Sequence, residues 1–150
     1  MITNRTQTDV NEAVRIRDVK VKTFQELTAS EIETLERGTM TINTLNRIED
    51  KQAELKALFN EMGYWNTSTT NKSWDATQIF DASEFQRIID NTNILRNAFF
   101  VKSNTPKTPP VSYHFGDINS LEQILYDLDV MINDVKSLYK ECGAFESGED

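Results

Sequence analysis

A chain of 150 residues is the length of one domain, and it can bury a core without disulfide staples. Its formal net charge of −8 sets it against a phosphate backbone, so nucleic acid is excluded as the expected partner. Five Gly and three Pro are too few for a many-turned β fold, and the single Cys142 precludes an internal disulfide.

No apolar run approaches the roughly eighteen residues of a membrane span, and the first residues lack a signal-peptide pattern. Synthesis in the cytoplasm of the producing cell and no membrane partner are therefore expected. The charge is unevenly spread. Residues 1–23 hold five basic and three acidic side chains, whereas 117–150 hold two basic and nine acidic.

At the N-terminus, "TDVNEAVRIRDVKVKTF" places Val10, Val14, Val21 and Phe24 on one stripe, interrupted by Arg17. A stripe this thin cannot sustain a helix alone, so the segment must pack on the rest of the chain or on a partner. Val10, Val14 and Phe24, with the basic face Arg15, Arg17, Lys20 and Lys22, form a candidate docking surface for an acidic neighbour. Another copy of the chain could be that neighbour; the plainer alternative is a solvated charged face. The next segment, "SEIETLERG", predicts a two-turn helix capped by Ser30 and Glu33 and stopped by Gly38.

Three longer helices come after it, predicted at about 41–62, 81–100 and 118–142. In the first, Leu45, Ile48, Gln52, Leu55, Phe59 and Met62 step by three and four, and Gly63 ends it. In the second, Phe85, Ile88, Thr92, Leu95 and Phe99 repeat the step behind an Asp81–Glu84 cap. In the third, Ile118, Leu121, Leu125, Leu128, Ile132, Val135 and Tyr139 do so, with Asn119 and Glu122 at capping-box spacing and Gly143 as stop. Gln52 and Thr92 sit where apolar residues belong, either as polar residues that fix register or oligomeric state or at a solvated seam edge. The expected fold is all-α, an antiparallel bundle of these three helices (39–143) with an N-terminal helical arm (1–38) and an acidic tail (144–150). Residues 101–116 contain all three prolines and predict an extended path that returns the chain for another pass.

Chemistry is thinly represented. Cys142 falls in a helix's last turn beside Glu141, where thiolate is disfavoured, and His114 lies between aromatics in "SYHFG". One His and one Cys make a poor zinc set. No calcium loop or phosphate-cradling glycine loop appears. No catalytic residue, metal or cofactor is expected, and the chain is not expected to be an enzyme. The stretch "GYWNTSTTNKSW" could present Tyr64, Trp65 and Trp74 to a sugar, or could be an aromatic corner whose Trp side chains plug the bundle end.

Several elements in order resemble a helical module of virion structural proteins from phages and prophages of Gram-positive bacteria, the minor structural, tail and fibre proteins. They are "LNRIE" at 45–49, Gly63–Tyr64, Trp74, the run from Asn91 through Leu95, Arg96, Ala98 and Phe99, the prolines at 106–110, and Leu121–Leu128. The terminal "FESGE" is similar as well, and the resemblance spans roughly 36–148. It implies a virion location, assembly with other virion proteins, and several symmetric copies or a homo-oligomer, with no catalytic residues. The alternative it leaves is a host-adhesion module in which the Trp65–Trp74 loop binds cell-wall glycan.

Overall fold

The computed structural model describes residues 1–64 and 69–146, with side chains described through residue 140. All regular structure in this part is helical: α1 (Gln7–Ile16), α2 (Ala29–Gly38), α3 (Ile42–Glu61), α4 (Ala82–Ala98) and α5 (Phe115–Glu146). A single π-helical turn, Arg17–Val21, extends α1.

The starts of the helices obey side-chain chemistry. Thr6 with Asp9, and Thr28 with Glu31, make reciprocal capping boxes for α1 and α2. The cap of α2 therefore lies two residues before the expected Ser30. Asp81 accepts from the Ser83 and Glu84 amides and caps α4 as expected. Gly63, at φ 89°, supplies the left-handed residue that ends α3, while Tyr64 N–H returns to Phe59 O at 2.8 Å. α5 departs from expectation at both ends. It starts at Phe115, so Asn119 and Glu122 lie inside it, and it passes through Gly143.

The predicted seams are the interior except at the C-terminal end of α5, where Tyr139 is 64% exposed because the helix runs past Glu61, the end of α3, which meets Lys136. Leu45, Ile48, Leu55 and Phe59 of α3, Ile88 and Leu95 of α4, and Leu125, Leu128 and Ile132 of α5 are buried in one cluster. Phe85, Ile89, Ile118 and Leu121 form a second. Each of α3, α4 and α5 packs on the other two.

The helices run in the same direction, and here the antiparallel expectation is corrected. Along α3 and α5, Arg47 pairs with Glu122, Lys51 with Asp129 and Glu61 with Lys136. Along α3 and α4, Glu49 pairs with Arg87, Gln52 bonds Thr92, and Phe59 stacks on Phe99. Partners ascend together in both series, which only parallel helices allow. Heptad spacing marks the buried face of a helix and is silent on its direction.

Parallel neighbours need long returns, and the connections supply them. Residues 69–74 climb back along α3: Thr69 O accepts from Lys56, Asn71 donates to Gln52, Lys72 N–H to Glu49 and Trp74 N–H to Asn46. The second connection does likewise beside α4. Pro106 O accepts from Arg96, Thr108 donates to Asn93, and Tyr113 stacks on Phe85. Its return was expected; that of the first connection was not. A twenty-residue helix is about 30 Å long, and an extended strand of about ten residues covers it.

Candidate functional site

The N-terminal segment is built into the end of the three long helices. Glu122 is fully buried and receives Arg47 at 2.7 Å, Arg5 at 3.3 Å and the Ile2 amide. Asn119 Oδ1 accepts from Arg5 N–H at 3.1 Å while Asn119 Nδ2 donates to Arg5 O at 3.0 Å. The residues expected to cap α5 thus clamp the first strand of chain. Burial pulls the Arg5 guanidinium below its ordinary pKa, and its charge interaction and hydrogen bond with Glu122 oppose that shift.

Beyond this clamp, α1 and α2 form a hairpin that packs chiefly on itself. Gly38 is required by close approach: a Cβ there would overlap the Asp9 carbonyl oxygen and the Ala13 methyl. Arg37 donates to both Asp9 carboxylate oxygens, at 3.1 and 3.3 Å, and this bond, aided by the Thr6 amide, holds Asp9 at about 2.

The predicted docking residues divide. Ala13 and Ile16 are buried, with Val10 and Val14 half-buried beside them. The π turn inserts one extra residue per turn, which rotates the residues after it off the expected stripe. Val19, Val21 and Phe24 consequently face solvent, Phe24 being 97% exposed at φ 57°. The basic face is largely satisfied within the hairpin. Arg15 pairs with Glu12, Arg17 and Lys22 share Asp18, and Lys20 holds Glu31 at 2.7 Å. Those bonds lower Asp18, through Lys22 first, and Glu31, through Lys20 first. A sequence count of cations therefore overstates the charge this face presents.

The aromatic stretch is corrected on two points. Trp65 lies outside the described residues. Tyr64 and Trp74 are not neighbours: Tyr64 sits edge-on to Phe99 at 5.0 Å beyond the end of α3, whereas Trp74 is pinned to Asn46 near its start. Thirteen residues of helix, about 20 Å, separate their anchors. Trp74 is 6% exposed, donates its indole N–H to Glu49 at 2.8 Å, and lies edge-on to Phe80. It plugs the side of the helices, and its ring face is unavailable for stacking a sugar.

Two polar hubs hold the interior: Gln52 stands at a polar position of the predicted seam, whereas Glu49 escapes a reading by sequence alone. Glu49, fully buried, accepts from Arg87 through both oxygens, from Trp74 Nε1 and from the Lys72 amide. That pairing raises Arg87. Gln52, also fully buried, donates to Ile88 O and Thr92 Oγ1 at 2.8 Å each and accepts from Asn71 at 2.9 Å. The signal for the acids is spacing: Glu49 comes four residues after Leu45, and Glu122 four after Ile118, so each lies on an apolar face. Among the described residues no buried side-chain nitrogen or oxygen lacks a partner.

His114 accepts from the Gly116 amide through Nδ1 and tilts over Phe115, a role at the start of α5. No group of His, Cys, Asp and Glu suited to a metal occurs among the described residues, and no described helix is long and apolar enough to cross a membrane. Between the hairpin base and α5 lies a cavity of about 250 Å³, walled by Val10, Met40, Phe115 and Ile118 with Arg37 and His114. Comparison with protein-family models, curated proteins and solved structures finds no match to this chain.

Proposed function

We propose that this chain is a phage virion structural protein, a component of the tail, baseplate, neck or fibre that acts by protein–protein assembly. One observation carries the reading: polar chemistry is spent on holding shape. The buried acids Glu49 and Glu122 are each closed off by arginine, and both return straps are bonded to the helices they run along. The outward face of the described residues is mostly mechanical: a projecting hairpin with an apolar tip, and an α5 that outruns its neighbours. Among the described residues Ser137 through Lys140 are all exposed, a full helical turn. The module resemblance across α3 to α5 supplies the virion context, and repetition of such a shape-holding unit suits symmetric multicopy assembly.

Mass spectrometry and immunogold labelling of purified particles test this proposal. The protein should copurify with particles in stoichiometric amounts and label one region of them. Particles free of it would overturn the assignment.

A further inference from the structure

The hairpin carries a knob, and its base carries a hole. Phe24 is 97% exposed and held in a left-handed conformation that a phenylalanine rarely adopts. The turn presenting it is firmly bonded: Phe24 N–H reaches Val21 O at 3.2 Å, Gln25 N–H reaches Lys20 O at 2.9 Å, and Thr23 Oγ1 donates to Val19 O at 2.7 Å. Val19 and Val21, just before it in the chain, add exposed apolar surface. The cavity of about 250 Å³ at the other end of the hairpin is walled largely by apolar side chains and is large enough for one aromatic ring. Fourteen residues, about 20 Å of helix, separate Phe24 from Val10 in the cavity wall, so a chain cannot fill its own hole.

We propose that Phe24 of one copy inserts into the cavity between Val10, Met40, Phe115 and Ile118 of a second copy. The occupant follows from the chain itself: among the described residues Phe24 is the most exposed large apolar side chain, and the hole that fits it lies out of its own reach. An exposed aromatic that enters a pocket elsewhere on the same molecule makes a heterologous contact. It propagates as a ring or an open chain, whereas two antiparallel hairpins that exchange tips make the contact isologous and close as a two-fold dimer. The inference deepens the assembly reading by naming the surface through which copies meet.

Sedimentation velocity of the full chain over a micromolar concentration series tests the contact. Wild type should associate reversibly, and Phe24→Asp should weaken association about tenfold or more, as loss of a central aromatic anchor does. Gln7→Trp, at an exposed position on the cavity rim, should fill the hole and weaken association equally. Far-UV circular dichroism should show both variants folded, since neither position is buried. Mixing them should restore one contact, because the Gln7→Trp copy keeps its knob and the Phe24→Asp copy keeps its hole. A monomeric wild type, or association indifferent to Phe24→Asp, overturns the proposal. Monomeric pure protein that is nonetheless abundant in particles would sink this contact and leave the virion assignment standing; self-association of a protein absent from particles would do the reverse.

Discussion

The three long helices and the N-terminal hairpin are both helical, yet they are stabilised by different means. Between the long helices, polar groups are interior: Glu49, Gln52, Thr92 and Glu122 are all fully buried and bonded across elements. In the hairpin most ion pairs are exposed, the buried residues are only Ala13 and Ile16, and larger apolar groups point outward. Buried pairs do little for net stability but penalise every register except the one that satisfies them. Exposed pairs contribute a few tenths of a kcal/mol each and leave the partner choice open. The long helices are thus specified to one arrangement, while the hairpin is free to present a surface.

The largest effect should come from removing an acid inside. Glu122→Leu leaves the Arg5 guanidinium, with a side chain 3% exposed, buried without its carboxylate. We expect a loss of about 3–5 kcal/mol in urea unfolding monitored by tryptophan fluorescence. A change under about 1 kcal/mol would show that Arg5 escapes to water and that the clamp is superficial.

Gly38→Ala should come next and fall on the hairpin. The new methyl meets backbone at Asp9, which cannot swing aside, so α1 and α2 must part at a cost of about 1–3 kcal/mol. Amide hydrogen exchange should accelerate across 7–38 and leave α3 to α5 protected. Loss of protection everywhere would erase the distinction between the two regions.

Gln52→Leu should cost about 1–3 kcal/mol because Asn71 loses its acceptor and Thr92 its donor. Asn71→Ala on that background should add less than it does in the wild type. A double-mutant cycle measures this, and strict additivity would deny that Gln52 ties the strap to α3.

The smallest effects belong to the hairpin's part-exposed ion pairs. Asp9 is held at about 2 against an ordinary 3.8, chiefly by Arg37. Its contribution is therefore present above about pH 4 and is lost as pH falls toward 2. Circular dichroism should show hairpin helicity declining over that window, and Asp9→Asn should flatten this component. A decline confined to higher pH would point to another group.

How much of this is legible in the sequence depends on how local its cause is. Seam residues such as Leu125 and Ile88 declare themselves by spacing, and Asp81 and Gly63 by the chemistry of caps. The Phe24 exposure is hidden because the π turn, which shifts phase by one residue, has no mark in composition. Trp74 looks like a ligand platform because its partner Glu49 lies 25 positions earlier and reads as a surface acid. One clue does lie in plain spacing. Twenty residues separate α3 from α4, far more than an antiparallel corner needs.

By itself, then, the amino-acid sequence determined where the helices lie, which face of each long helix is buried, and that the proline stretch returns the chain. Those properties arise from side-chain period and backbone sterics within a few turns. Only the tertiary structure decided that α3, α4 and α5 run parallel, that Glu49 and Glu122 are interior, and that Phe24 and the cavity stand at opposite ends of one hairpin. Direction, burial of charge and exposure are properties of pairs distant along the chain, and a heptad reads the same against either direction of its neighbour.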